Sequence, residues 1–397
     1  MPDANVVLKG SFKAAEQTYR VKYLDEDKNV EIRDMSDPRD AHFGDEIKGY
    51  TEKIEISGYT FVRADDLTVG TDNEQNIVTV YYSKDTNEDD IPDKYQITFT
   101  YVSADADKGT VTGTTSEVAT TYEITRDSVT GEIIVGNGPT AQHPTQPSTV
   151  TAKAGYKFDK WTDEDQKSFD DDAALKAASY LEDQTFTAHF TATEQTYRVK
   201  YLDEDKNVEI RDMSDPRDAH FGDEIKGYTE KIEISGYTFV RADDLTVGTD
   251  NEQNIVTVYY SKDTNEDDIP DKYQITFTYV SADADKGTVT GTTSEVATTY
   301  EITRDSVTGE IIVGNGPTAQ HPTQPSTVTA KAGYKFDKWT DEDQKSFDDD
   351  AALKAASYLE DQTFTAHFTA TEQTYRVKYL DEDKNVEIRD MSDPRDA

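Results

Sequence analysis

Cysteine is missing from all 397 residues. No disulfide can staple this chain, and a thiolate metal site or a cysteine nucleophile is excluded. A cysteine-free chain suits the cytosol, and equally the surface of bacteria that make little use of disulfides. Positive charge is also scarce: 41 lysines and arginines stand against 81 aspartates and glutamates, for a net charge of −40. Such a chain repels nucleic acid and anionic lipid, both of which need a positive surface. An acidic, salt-adapted cytosolic protein would share this balance. Long apolar runs are absent too, and nothing approaches the roughly 20 residues of a membrane helix. The opening MPDANVVLKGSFKAA has neither the charged nor the apolar block of a signal peptide. Hydrophobic residues make up only 34% of the chain, so its cores are expected to be thin. The 24 tyrosines and 15 phenylalanines offset this, because each aromatic ring buries a large area.

What the chain has is repetition. Residues 16–193 recur without substitution as 194–371, an offset of 178 residues, and the pattern starts a third time at Glu372. A 178-residue unit exceeds the roughly 20–45 residues of a solenoid repeat and can hold one or two domains. One repeat carries 36 acidic and 17 basic side chains, a net −19, so the acidity belongs to the repeating unit and not to a tail. The expected architecture is beads on a string, each bead burying its own core.

Within one repeat the first part alternates with period two. Tyr19, Val21 and Tyr23 are separated by Arg20 and Lys22, as in a half-buried strand. The turn 25–29 and then Val30 and Ile32 complete a hairpin, and Asn76 to Ser83 is the clearest strand of the unit. A small domain over 16–84 follows, then a charged linker over 85–93 containing Pro92. A second domain spans 94–193, opening with Ile97, Phe99 and Tyr101 in alternation. Gly136 to Ser148, with three prolines, reads as loop. Trp161 falls out of step with Tyr156 and Phe158, which predicts a β-bulge. Asp170, Asp171 and Asp172 ahead of AALKAASYL predict a helix start. The last strand is Thr185 to Thr191, with Phe186, Ala188 and Phe190 inward and His189 outward. The second copy has the same division: 194–262, 263–271 and 272–371. Residues 1–15 align with the end of a repeat, Ser11-Phe12-Lys13-Ala14 against His189-Phe190-Thr191-Ala192, and read as the close of a preceding, diverged unit. Residues 372–397 read as a truncated third repeat. Both ends are expected to fray, and the chain to be part of a longer protein, since a lone hairpin is marginal in water.

The stretches YRVKYLDEDKNVEI, GYTFVRADD and NIVTVYYSK make the first domain resemble the mucin-binding-protein (MucBP) family of bacterial surface proteins. Where that family commonly has a hairpin glycine, this chain has Lys28-Asn29, and asparagine tolerates the same left-handed turn. GYKFDKW and the closing TFTAHFTA make the second domain similar to the internalin-type B repeat. These resemblances imply mainly β, β-grasp-like small domains with at most one short helix each. They also imply a large, wall-anchored adhesin outside the bacterial cell, and no enzymatic activity.

The sharpest local chemistry is KDTNEDDIPDKYQ. Asp85, Asn87, Asp89 and Asp93, and in the second copy Asp263, Asn265, Asp267 and Asp271, are spaced to wrap oxygen ligands around Ca²⁺. They resemble the calcium loops of bacterial and thrombospondin-type repeats, except that Asp90 replaces the usual turn glycine and Pro92 stiffens the end. The bland reading is a solvated acidic linker. His42, His143 and His189 lie far apart, and acidic pairs arise by chance in so acidic a chain, so no catalytic residue is expected. Trp161 with Tyr156 could stack on a sugar, but a core tryptophan is the simpler reading. The sequence therefore predicts a monomeric spacer that extends an adhesin by about 60–70 Å per repeat, with no membrane insertion in this segment and an anchor outside it. The rival reading is a module that itself binds mucin glycans or a host surface protein.

Overall fold

The computed structural model describes residues 9–145, 147, 149–323 and 327–396. The chain divides into two compact units, 1–193 and 194–397, at the repeat boundary. Each full copy contains two separate hydrophobic clusters, one within residues 19–82 and one within 97–190 in the first copy, with counterparts in the second. The fold is mainly β with two short α-helices among the described residues.

In the first domain the alternating stretch forms the strand Glu16–Asp25, with Val21 fully buried and Tyr19 and Tyr23 nearly so. It turns back into Val30–Arg33 through a left-handed Asn29 (φ 54°), while Asp25 Oδ1 accepts the turn amides of Asp27 and Lys28. On its other side it pairs in parallel with Ile77–Lys84, which pairs antiparallel with Tyr59–Ala64. The sheet order is thus Val30–Arg33, Glu16–Asp25, Ile77–Lys84, Tyr59–Ala64, with first and last strands adjacent and parallel at the centre. This is a β-grasp-like order. A strand not expected from the sequence, Arg39–His42, pairs with the start of the opening strand.

The second domain repeats the plan. Its opening strand Gln96–Ser103 lies between Ser116–Thr120 and the closing strand Gln184–Ala192, which runs parallel to it. Tyr156–Thr162 follows in the sheet, and its register slips between Phe158 and Lys160, where the bulge was expected. The slip turns Trp161 fully inward, and its Nε1 donates to Asp172 Oδ1 at 2.9 Å. The helix Asp172–Ala177 starts on Asp171, whose carboxylate accepts the Ala174 amide. It is shorter than AALKAASYL suggests: Tyr180 beyond it forms a bridge with Gln142 and donates its hydroxyl to Asp163. Gly109 lies under Phe190; a Cβ there would come within 2.2–2.6 Å of three ring carbons.

Residues 9–15 form no strand, and Phe12 is fully exposed. The start of the third copy forms two small ladders, Thr374–Tyr375 with Arg395–Asp396 and Tyr379–Asp381 with Val386–Arg389. Tyr375 and Leu380 are exposed there, whereas their counterparts Tyr197 and Leu202 in the complete copy are buried.

Candidate functional site at the joint within each repeat

The segment 85–93 is a folded joint. Asp85, 2% exposed, follows directly on the closing strand of the first domain. Its Oδ1 accepts the amide of Asp89 and its Oδ2 that of Asp90, wrapping the loop around the carboxylate. Glu88 and Asp90 take left-handed φ values of 56° and 69° to make the wrap. Burial holds the Asp85 carboxyl above its ordinary range, against the opposing pull of those amides. Asp89 accepts the Ile91 amide on one oxygen and the side-chain amides of Asn87 and Gln96 on the other. Asp93 accepts the amide and hydroxyl of Thr86. In the second copy Asp263, Asn265, Asp267 and Asp271 repeat these contacts with Asp268, Ile269, Gln274 and Thr264.

The four expected calcium ligands are therefore neighbours in one loop, but their oxygens point at separate amide and hydroxyl donors. Asn87 offers its amide group, not its oxygen, to Asp89. Among the described residues no group of three or more acidic or histidine side chains converges as a metal-binding set. An ion at the loop centre would have to take these oxygens from the donors they now hold.

The joint is fastened by residues the sequence reading missed. Arg126 ends the strand Ile124–Arg126 of the second domain. Its Nη1 donates to the carbonyls of Phe61 and Gly131, both at 2.8 Å; its Nη2 donates to Thr60 Oγ1 and the carbonyl of Asp90, both at 2.7 Å. One planar guanidinium thus ties together an edge strand of the first domain, the loop, and its own hairpin. That is a geometry a lysine point charge cannot reproduce. On the same hairpin Glu132 Oε1 accepts the Ala64 amide at 3.1 Å, and Lys53 donates to the Thr130 carbonyl. Asp127 folds the hairpin turn by accepting the amides of Val129 and Thr130, which hold its carboxyl below the ordinary range.

A second fastening crosses the joint from the same domain. Lys94, in the turn Asp93–Tyr95, donates to Asp27 Oδ1 at 2.6 Å. Burial opposes ionisation of Asp27, but the hydrogen bonds from Lys94 and Ser83 and the lysine charge outweigh it and lower its pKa. Lys94 is likewise opposed by burial and held above the ordinary lysine range by Asp27. Every one of these ties recurs in the second copy, through Arg304, Glu310, Lys231 and Lys272. Arg126 had one visible signal: it is the sole arginine of residues 94–193. Its partners are mostly backbone carbonyls, which no residue pattern marks.

An open groove runs beside the tie, lined by Lys53, Tyr59, Phe61, Glu88 and Arg126, and by Lys231, Tyr237, Phe239 and Arg304 in the second copy. The histidines do not gather at it. His143 bonds the Ala178 carbonyl, His189 bonds Thr162, and His42 lies beside Asp45. Trp161 is wholly enclosed, so its faces are closed to a sugar.

No family model matches the chain, and no curated protein matches it.

Proposed function

We propose that this chain is a repetitive spacer from a bacterial cell-surface adhesin, holding a distal binding region away from the cell wall and carrying no catalytic group. The observation that carries the reading is the doubled joint: two identical 178-residue copies, each with two separate cores, are fastened internally by the same side chains. Such units add distance in equal steps, and a net −19 on each disfavours collapse of one onto the next. The resemblances to MucBP and B-repeat domains supply the cell-surface setting. Calcium held by residues 85–93 would stiffen the joint further. Calorimetry of the full chain with Ca²⁺ and then chelator tests that addition, and no heat with no melting shift removes it.

The groove beside Arg126 favours a second reading, in which each repeat binds mucin glycans or a host protein through Lys53, Tyr59 and Glu88. A mucin and glycan array probed with the full chain separates the two. A spacer gives no saturable signal. A binder gives one ligand with saturable affinity, lost on Tyr59→Ala/Tyr237→Ala.

A further inference from the structure

We propose that each domain is a shear clamp: its fold is arranged to resist tension applied along the chain. The inference deepens the spacer reading, which explains why tension would arise. The mechanical property itself is measurable whether or not that reading holds.

The chain enters the first domain on Glu16–Asp25 and leaves on Ile77–Lys84. These two strands are direct neighbours, run parallel, and are in register from Arg20↔Ile77 to Asp25↔Tyr82. The ladder is extended at both ends, by the Arg20 amide on the Asn76 carbonyl and the Glu26 amide on the Tyr82 carbonyl. Pulling the two ends apart slides one strand along the other. Hydrogen bonds perpendicular to the pull are then loaded together, not one after another. Interlocking side chains resist the same sliding: Val21, Val78 and Val80 are fully buried, and Tyr23 packs against Tyr82.

The second domain has the same wiring. The chain enters on Gln96–Ser103 and leaves on Gln184–Ala192, parallel neighbours from Phe99↔Gln184 to Ser103↔Ala188, with the Ala104 amide on the Ala188 carbonyl beyond. Phe186 sits between Phe99 and Tyr101, with ring centroids 5.8 and 5.5 Å away. Both pairings recur in the second copy. In the first domain the pull acts on only one arm of the opening hairpin, Glu16–Asp25 with Val30–Arg33, so it does not unzip that hairpin from its open end.

The wiring also sets the lengths released. In each domain the entry and exit points lie about 11 strand positions apart, or about 36 Å. Stretched at about 3.4 Å per residue, residues 16–84 release roughly 200 Å and residues 96–192 roughly 290 Å.

Force spectroscopy on the full Glu74→Cys chain tests the clamp, with two pulling geometries in the same molecule. The introduced thiol is a unique handle because the chain has no cysteine. Glu74 is exposed, in the turn just before the closing strand and close to the start of the opening strand, where the Thr18 amide bonds Asn73. Pulling end to end shears the clamp and is expected to give force peaks in two length classes, about 200 Å and roughly 290 Å. Pulling between the N-terminus and Cys-labelled position 74 peels the same strand pair from one end. The first domain should then rupture at a force at least twofold lower, at equal loading rate. Equal rupture forces in the two geometries overturn the proposal, as does end-to-end unfolding without force peaks. Neither result bears on whether the chain binds mucin, which the array decides separately.

Discussion

Removing the arginine fork should loosen the joint while leaving both cores intact. In the chain carrying Arg126→Ala and Arg304→Ala, each joint loses four donated hydrogen bonds, three of which leave the arginine's own hairpin for Thr60, Phe61 and Asp90. A hydrogen bond to a charged group contributes about 1.5–3 kcal/mol. The fork is half-buried and water can replace part of it, so about 1 kcal/mol per lost crossing bond is the reasonable figure, or about 3 kcal/mol per joint. That is roughly a hundredfold in the equilibrium for opening. Hydrogen exchange reads this at a defined atom. The Ala64 amide is on the outer edge of its strand and is held by Glu132 across the joint; the Val80 amide belongs to the central ladder. Exchange at Ala64 and Ala242 should accelerate about a hundredfold, and exchange at Val80 and Val258 should not change. Both copies must be substituted because their peptides are identical. Unchanged exchange at Ala64 would refute the fork as the fastening. Equal acceleration at Val80 would mean that joint and core are one cooperative body.

Four further outcomes follow from the same geometry. Gly109→Ala with Gly287→Ala pushes a methyl group into the Phe190 and Phe368 rings and should cost about 1–3 kcal/mol per domain, read from the denaturant midpoint. Trp161→Phe with Trp339→Phe removes buried ring volume and the bond to Asp172 or Asp350, costing about 3 kcal/mol per domain by circular dichroism. The Asp27–Lys94 tie involves partly exposed groups and is worth about 0.5–1 kcal/mol. Because the Asp27 pKa is lowered, its contribution is complete above the ordinary carboxylate range and fades as pH falls below it; because the Lys94 pKa is raised, it fades again as pH climbs past the ordinary lysine range. The stability gap between the parent and Asp27→Asn should therefore close in acid. Finally, Arg126 and Glu132 cover the open edge of Tyr59–Ala64. Deleting the second domain, so that two first domains adjoin, bares that edge beside an identical sheet and should lower the refolding yield; an equal yield would remove the argument.

Much of the fold was legible because its signals are local. The bulge could be read from Trp161 falling out of step, the hairpin turn from Asn29, and the helix start from Asp171. The strand Arg39–His42 was not legible, since only Ala41 of its residues is buried and no alternation marks it. Period-two patterning gives a strand two faces but not its neighbours, so the parallel pairing of first and last strands was not legible. The joint was half legible. The spacing of Asp85, Asn87, Asp89 and Asp93 marked a special loop, but the same acidic side chains serve to cap backbone amides. A carboxylate that caps a turn and one that awaits an ion are written with the same residue. Arg126 acts on the carbonyls of Phe61 and Asp90, 65 and 36 positions away, and only the folded chain brings them together.

Small-angle scattering on chains with one, two and four copies of the 178-residue block tests most directly that each copy contributes distance. The maximum dimension is expected to rise by an equal step with every copy, about 60–70 Å. A dimension that barely grows as copies are added would mean that the units pack on one another, and would contradict it.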